Sequence, residues 1–187
     1  TTSNLPPSFR GQSIAFRVIG KSTESGGEPP RTAYHEVSAA YFQTMQIPLL
    51  HGRAFTESDN ESAPGVVIIS ETLARQYFGN ENPVGQSIQA VMNTNNPKLE
   101  GDRVRQVVGV VQDVRMGLRS GFGSIMYVPY RQNLTDYDSN FSLVTHAIQN
   151  FVIRTSKDPA TLLPAVRRSF VETDPSVAVI DIMPMRT

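Results

Sequence analysis

The chain has 187 residues, 39% of them hydrophobic and 18% charged, a balance that predicts a folded core rather than disorder. Seventeen Lys and Arg residues offset 17 Asp and Glu residues, so no net charge attracts nucleic acid, and nucleic acid is not an expected partner. The absence of Cys excludes disulfides, thiol catalysis and Cys-ligated metal centres.

No apolar run approaches the ~18 residues that a membrane span requires, and the N-terminus lacks the pattern of a signal peptide. The sequence starts in a polar segment at Thr1 and stops just after an apolar stretch at Thr187. We therefore expect a soluble domain excised from a longer protein.

The first third of the sequence predicts two strands. Ile14, Phe16 and Val18 lie at every second position, which is typical of a half-buried strand. A loop rich in Gly, Ser and Pro follows over residues 21–32. Residues 34–37 then predict a second short strand.

A short amphipathic helix is expected after the second strand. Ser38 stands at the position of an N-cap, and apolar side chains follow at helical spacing: Tyr41, Phe42 and Met45. Pro48 ends this helix. Leu49 and Leu50 then lead to a predicted turn at residues 51–53.

The middle third predicts strands around one helix. Residues 66–69 form a compact apolar run, Ser70 is placed to cap the helix, and Gly79 is placed to end it. Further strands are predicted at 87–91, 104–111 and 125–129. The strand at 104–111 should be central, and Gly109 within it indicates a bulge or a close backbone approach.

The last third contains the clearest helix signal. Asp158 is placed as the N-cap, Pro159 occupies the first helical position, and Asp174 with Pro175 ends the helix. The apolar residues at helical spacing are Leu162, Leu163, Val166, Phe170 and Val171. Predicted strands at 151–154 and 177–183 would complete a right-handed strand–helix–strand unit.

This order of elements predicts an α+β fold with two lobes. Both ends of the chain suggest strand–helix segments, whereas the middle is mostly strand. We therefore expect a split lobe that contains the βαβ unit, built from residues 1–55 and 140–187. A β-rich lobe, residues 56–139, would be inserted into it.

No His or carboxylate constellation predicts a metal site. His35, His51 and His146 are far apart and have no ligand-type partner at metal-binding spacing. A carboxylate cluster could hold Ca²⁺, but it lacks the EF-hand order and a solvated loop is the favoured interpretation. Its members are Glu57, Asp59 and Glu61.

The sequence also lacks the known catalytic motifs. There is no nucleophile elbow, phosphate-binding loop or dinucleotide fingerprint, and the nearest candidate, residues 117–123, has the wrong spacing. Asp113 and Arg115 follow a predicted strand, where catalytic residues can lie, but an ion pair on a turn is the favoured interpretation. We expect no catalytic residue, no cofactor and no enzyme activity.

Several longer phrases carry a family resemblance. The most specific runs over residues 37–59, VSAAYFQTMQIPLLHGRAFTESD. Others follow in the same order at 67–78, 82–86, 107–114 and 127–130, and residues 151–182 match the closing segment. Together they resemble the MacB-type periplasmic core domain of FtsX-like permeases. The wording is most similar to the duplicated orphan permeases of acidobacteria.

The resemblance implies a non-catalytic periplasmic domain of an ABC transporter permease in the cytoplasmic membrane, lying between its first two transmembrane helices. It implies a split "porter" lobe and an inserted "sabre" lobe that transmit conformational change to a substrate or partner protein in export. The implied partners are the membrane helices of the same polypeptide, a cytoplasmic ATPase, a periplasmic adaptor and a second copy in a homodimer. Orphan members often lack their own ATPase, which leaves that partner open.

The residues of the 37–59 stretch also have a physical interpretation. Tyr41, Phe42 and Met45 should pack a helix onto a sheet, Gly52 should belong to a turn, and Arg53 should bind backbone carbonyls or a carboxylate. Two other functions stay open on the sequence. One is a small-ligand-binding module, and the other is a hydrolase with an unrecognised site. The substrate and the direction of transport are not predicted.

Overall fold

The computed structural model of the chain describes residues 12–21, 28–91, 104–114, 123–132, 150–176, 179 and 181–183. The chain divides into two compact units, residues 1–152 and residues 153–187. Among the described residues, no helix is long and apolar enough to cross a lipid bilayer.

The first unit contains strands and short helices. In chain order its elements are β1 Gln12–Val18, β2 Arg31–Val37, α1 Tyr41–Met45, β3 Leu49–Gly52, β4 Val66–Ser70, α2 Glu71–Phe78, β5 Ser87–Val91, β6 Val104–Val111 and β7 Ile125–Pro129. A 3₁₀ turn, Tyr130–Gln132, follows β7. These elements confirm the predicted strands and helices of the first 132 residues. They add β3, where His51 and Gly52 continue a strand rather than forming the predicted turn.

The strands form one sheet that closes on itself. Their order is β3-β6-β4-β7-β2-β1-β5, and β5 also pairs with β6. This last pairing closes a ring of six strands, β6-β4-β7-β2-β1-β5, and β3 continues beside the end of β6. The β2–β7 and β4–β6 pairs are parallel, and the others are antiparallel. The predicted central position of β6 is confirmed.

The register of β6 breaks at Gly109. Val67 of β4 pairs with Val107, but the next residue, Ile68, pairs with Gly109, so Val108 is passed over. A bulge of this kind bends a strand and increases its twist, which helps a sheet to close. The bulge predicted at Gly109 is therefore confirmed.

The two faces of the ring bury separate apolar clusters. The inner cluster takes side chains from all six strands of the ring and from α2: Ile14, Phe16, Tyr34, Val67, Ile69, Leu73, Phe78, Ile88, Ala90, Val107, Val110, Met126 and Val128. The outer cluster lies against α1: Val37, Tyr41, Phe42, Phe55, Val66, Ile68, Val108, Val111, Ile125 and Tyr127. Strands β4, β6 and β7 supply both clusters. This explains the apolar runs at residues 66–69, 107–111 and 125–128, which do not alternate with polar residues.

The second unit contains one described helix, α3, Pro159–Thr173. Its predicted start is confirmed, because the Asp158 side chain accepts a hydrogen bond of 3.0 Å from the Ala160 N–H and Pro159 opens the helix. Its predicted end is also confirmed, with Asp174 as the C-cap. The partly buried side chains of α3 are Leu162, Leu163, Val166 and Phe170.

The strands predicted on either side of α3 are wrong for the described residues. Residues 151–155 have no regular structure, and neither do Val179 or residues 181–183. Phe151 and Ile153 are 52% and 55% exposed. Alternating apolar residues form a strand only when a neighbouring strand takes up their backbone hydrogen bonds and a packed face covers them. The described residues therefore contain no βαβ unit.

The predicted lobe boundaries do not follow the sheet. Strands β1 to β3 precede residue 55 and β4 to β7 follow it, yet all seven pair within one sheet. Residue 140 lies outside the described residues, and the boundary between the two compact units falls after Val152. The mixed helix and strand content agrees with the α+β prediction. The division into a porter-like and a sabre-like lobe stays a prediction.

Candidate functional site

The stretch 37–59, which carries the most specific sequence pattern, covers the outer face of the ring. The rings of Tyr41 and Phe42 on α1 pack on Tyr127 of β7, with centroid distances of 6.1 and 5.1 Å. Phe42 also packs on Phe55, at 5.9 Å. Edge-on and tilted aromatic pairs of this kind stabilise a junction through the apolar area they bury and through the favourable orientation of their rings. The predicted packing role of these residues is confirmed.

The helix α1 is held more by this packing than by its own ends. Its N-cap is Ala40, which has no side chain to accept a hydrogen bond. The predicted cap, Ser38, contributes its backbone carbonyl instead, which accepts from the Tyr41 N–H at 3.0 Å. At the other end Gln46 adopts a left-handed conformation with φ of 55°. A five-residue helix with such ends has little stability of its own.

The loop after β3 is organised by Asp59. Its two carboxylate oxygens accept from the two terminal nitrogens of Arg53 at 2.8 Å each, and one also accepts from the Thr56 backbone N–H at 2.8 Å. The Arg53 guanidinium, followed by the Thr56 bonds, holds the pKa of the Asp59 carboxyl below its usual range. This bidentate pair fits the prediction that Arg53 binds a carboxylate.

The three carboxylates considered for Ca²⁺ do not converge. Asp59 turns inward to Arg53, whereas Glu57 lies 3.6 Å from Arg131. Glu61 is exposed. The part of the chain that the structure describes holds no cluster of three or more His, Asp or Glu side chains suited to a metal ion.

The two histidines among the described residues lie on different strands. His51 is exposed on β3, and His146 lies outside the described residues. His35 is 0% exposed on β2, and its ring lies 5.7 Å from that of Tyr127. Burial lowers the pKa of His35 to about 4. A buried neutral imidazole of this kind is a core group rather than an accessible base.

Asp113 has a partner that the sequence did not suggest. Its carboxylate accepts from the Thr72 backbone N–H at 2.8 Å and from the Thr72 hydroxyl at 2.6 Å. It thereby satisfies the first turn of α2, where a negative charge is also favourable to the helix dipole. Arg115 and most of the 117–123 segment lie outside the described residues, so the Asp113–Arg115 ion pair stays a prediction.

One shallow cleft lies between the loop after β3 and the end of β7. Its lining residues are Val37, Ala39, Phe55, Thr56, Glu57, Asp59, Pro129, Tyr130 and Arg131. The charged groups there engage each other: Asp59 with Arg53, and Glu57 with Arg131. The Tyr130 hydroxyl accepts from the Arg131 Nε at 3.2 Å. The cleft therefore resembles a packed junction more than a reaction site.

The largest pKa displacements occur in the outer apolar cluster instead. Burial raises the pKa of Tyr41 to about 12 and raises that of Tyr127 further. Together with His35, these groups are held in their neutral forms by desolvation. A catalytic site would place such groups in a cleft where a substrate could reach them.

Two polar junctions contain long-range hydrogen bonds that had no signal in the sequence. The buried Ser70 hydroxyl caps α2 and also accepts from the Ile125 N–H of β7 at 3.0 Å. The Gln132 side chain accepts from the Val66 N–H at 3.0 Å and from Arg105 at 2.9 Å, and it donates to the Pro64 carbonyl at 3.0 Å. Ser70 and Ile125 are 55 residues apart in the chain, and Val66 and Gln132 are 66 apart. No local sequence pattern can predict hydrogen bonds over such separations.

Comparison with known proteins identifies the family of the chain, which the side chains of the cleft do not. A family model described as the MacB-like periplasmic core domain matches residues 7–170. The chain is 30% identical over 94 residues to the macrolide export ATP-binding/permease protein MacB of Aggregatibacter actinomycetemcomitans, covering 50% of the chain and 13% of that protein. It is 26% identical over 159 residues to the uncharacterized ABC transporter permease YknZ of Bacillus subtilis, covering 80% of the chain and 36% of that protein.

A solved structure shares the fold. The crystal structure of the periplasmic region of MacB from Actinobacillus actinomycetemcomitans matches with a TM-score of 0.56 and 20% identity, covering 87% of this chain and 63% of that one. The chain thus spans a small part of MacB and about a third of YknZ.

Proposed function

Because the chain belongs to the MacB-like periplasmic core domain family, we propose that it is the extracytoplasmic domain of an ABC transporter permease and acts without catalysis. In this role it transmits conformational change between membrane helices and a substrate or partner protein during export. The family match over residues 7–170 is the observation that carries the proposal.

The architecture of the first unit supports a mechanical role. Its six-stranded ring is filled by one apolar cluster and covered by another. Interiors packed in this way have low compressibility, so a displacement at one edge is passed on instead of being absorbed. The charged groups around the cleft are paired with each other, which favours a structural use for them over a chemical one.

The partners follow from the same proposal. The direct ones are the transmembrane helices of the same polypeptide. A cytoplasmic ATPase, a periplasmic adaptor protein and a second copy of the permease complete the proposed assembly. The name of MacB joins an ATP-binding function to a permease, which supports the ATPase as a partner.

The first test is to read the gene on both sides of residues 1–187. We expect apolar segments of about 20 residues that can span a membrane. If neither flank encodes such a segment, the proposal is wrong.

The second test measures movement in the full-length permease with its ATPase. The chain itself has no Cys, so spin labels can be placed at Arg17→Cys in the ring and Arg168→Cys on α3 once cysteines elsewhere are replaced. We expect the distance distribution between the labels to differ between nucleotide-free and ATP-trapped states. A control pair within the first unit, Arg17→Cys with Arg131→Cys, should keep one distance. No change in the first pair would contradict the proposal.

A small-ligand-binding module is the second candidate, because the cleft beside Thr56 and Arg131 offers mixed polar and apolar lining. A ligand that binds only the folded state raises the melting temperature by mass action. A thermal-shift screen of the 187-residue chain tests this function. A stabilising metabolite whose effect is lost in Arg131→Ala would favour this candidate over the mechanical one.

A further inference from the structure

Helix α3 carries an apolar stripe and yet has no buried residue. The α3 stripe is formed by Leu162, Leu163 and Val166, which lie within about 100° of the helix circumference and are each only partly buried. Ile153 and Met183, before and after the helix, are 55% and 74% exposed. The second unit therefore has no core among its described residues.

The helix is too weak to hold its structure in water by itself. It has 15 residues, close to the length at which an isolated helix is only marginally stable. Pro164 lies inside it, where a proline removes a backbone hydrogen bond and crowds the preceding turn. The N-cap, Asp158, offsets only part of that cost. Burial of the α3 stripe is the interaction left to stabilise the helix.

The second unit is also too small to supply that burial. It has 35 residues, and units below about 40 residues usually need a disulfide, a metal or an association in order to fold. The chain has no Cys, and no metal-binding cluster occurs in the described ranges. The first unit builds both of its apolar clusters from its own residues. The second unit therefore requires a further surface.

The size of the α3 stripe favours a covalently attached partner over a second copy of the chain. A helix of 15 residues is about 22 Å long, and a stripe about 10 Å wide on it offers roughly 200–300 Å². A stable complex between separate proteins buries about 800 Å² on each side. A segment of the same polypeptide needs less area, because its effective concentration is of millimolar order.

A lipid surface fits the helix poorly. Helices that lie on membranes have a polar side rich in Lys and Arg, which attracts anionic lipid. The basic residues of α3 are Arg167 and Arg168, and the acidic residues of the helix and its caps offset them: Asp158, Glu172 and Asp174. A protein segment is therefore the favoured occupant.

We propose that the α3 stripe is the docking site for a segment of the same polypeptide that precedes Thr1, and that the two together form the core of the second unit. The fold match leaves more than a third of the periplasmic region of MacB without a counterpart in this chain. Residues 151–182 resemble the closing segment of the family domain, which favours the side before Thr1. The inference rests on the proposed function only for the existence of residues there.

The test compares the 187-residue chain with a longer one that adds the gene's residues between the first membrane-spanning segment and Thr1. Hydrogen exchange of amides 166–170 reports on α3, and the Val107 amide, bonded to the Gln86 carbonyl, reports on the ring. We expect α3 protection to rise roughly 100-fold in the longer chain, because three apolar side chains become buried. Protection of Val107 should change less than about threefold. Unchanged α3 protection overturns the proposal.

Two variants of the longer chain locate the contact. Val166→Asn places a polar group in the α3 stripe and should remove most of the gain in protection. Arg168→Asn, on the opposite side of the helix, should retain it. Equal effects of the two variants overturn the proposal. If the longer chain is insoluble, hydrogen exchange of the full-length permease in detergent decides: unprotected amides 166–170, or protection that survives Val166→Asn, overturns it.

The other occupants give different results. Protection of α3 that rises with the concentration of the 187-residue chain, together with a dimer in light scattering, assigns the stripe to a second copy. Protection that appears only with vesicles of phosphatidylethanolamine and phosphatidylglycerol assigns it to lipid. Either result overturns the proposal.

Failure of this inference is distinguishable from failure of the proposed function. If the gene encodes membrane spans but the residues before Thr1 leave α3 unprotected, the inference is wrong and the proposed function stands. If residues before Thr1 protect α3 and neither flank encodes a span, the inference stands and the proposed function is wrong.

Discussion

At the scale of single residues, two glycines allow β3 and β6 to approach each other. A Cβ atom on Gly52 would lie 2.2 Å from the Val108 carbonyl oxygen, and one on Gly109 would lie 2.5 Å from the Arg53 carbonyl oxygen. Both obstacles are backbone atoms, which cannot rotate away as a side chain can. Glycine at these two positions is therefore a requirement of the strand pairing.

We expect Gly52→Ala to destabilise the chain by about 3 kcal/mol or more. Gly20→Ala is the matched control, since Gly20 has a similar positive φ, 83° against 74°, but no atom within 4 Å of the added Cβ. It should cost only about 1 to 2 kcal/mol, the backbone strain alone. Urea unfolding of both variants measures the difference. Equal losses would show that the close approach of β3 to β6 does not contribute.

Gly109 and Ser38 show which local features the sequence could predict and which it could not. Gly109 stands inside a β-branched run, so a bulge or close approach was predictable. Ser38 illustrates the limit. Its side chain suits an N-cap, but the helix starts after Ala40 because Tyr41 and Phe42 must meet Tyr127, a residue 86 positions further along the chain. Packing, which the local pattern does not contain, decided the start of the helix.

At the scale of elements, Ser70 joins three of them. It is the last residue of β4 and the N-cap of α2, and its buried hydroxyl also accepts from the Ile125 N–H of β7. The cap was predictable from the sequence, because Ser precedes a helical pattern. The bond to Ile125 was not, since it depends on the antiparallel pairing of β4 with β7.

We expect Ser70→Ala to reduce the free energy of unfolding by about 2 kcal/mol. The change leaves the buried Ile125 N–H without its acceptor and removes the cap of α2. Ser87→Ala, on the outer side of β5, is the control and should stay within about 0.5 kcal/mol of the unmodified chain. Thermal and denaturant unfolding provide the measurement, and an equal effect of the two variants would refute the junction role.

Helix α3 and the segments on either side of it show the same contrast between what local sequence predicts and what depends on the fold. Asp158 and Pro159 specify the start of this helix by local chemistry, and the structure agrees. The flanking apolar segments did not become strands in the described residues, because a strand needs partners that only the fold can supply. Helices satisfy their hydrogen bonds internally and strands do not, so the local prediction succeeded for α3 and failed for the segments on either side of it.

At the scale of the whole molecule, the main feature of the first unit is the closure of its six strands into a ring. The β1–β5 and β5–β6 pairings complete it, and Arg17 stands directly opposite Gln89 in the first of these. The ring leaves no unpaired edge among its six strands, which lowers the risk of edge-to-edge association.

A disulfide can test this closure because the chain contains no Cys. Arg17→Cys with Gln89→Cys should oxidise readily and, by closing a loop of roughly 70 residues, raise the stability by up to about 4 kcal/mol. Arg17→Cys with Val91→Cys, two residues out of register, is the control and should oxidise poorly. Non-reducing electrophoresis and unfolding curves distinguish the pairs. Equal oxidation of both would contradict the register.

The sequence by itself determined the positions of six of the seven described strands and of the three helices, and it determined the family through the phrases at 37–59 and after. These features depend on neighbouring residues: periodicity, turn residues and caps. Only the tertiary structure decided the order of the strands, the closed ring, the burial of His35 against Tyr127 and the partners of Asp113 and Gln132. Each of these joins residues that are distant in the chain, and their pairing is selected by packing and hydrogen bonding in the folded state alone.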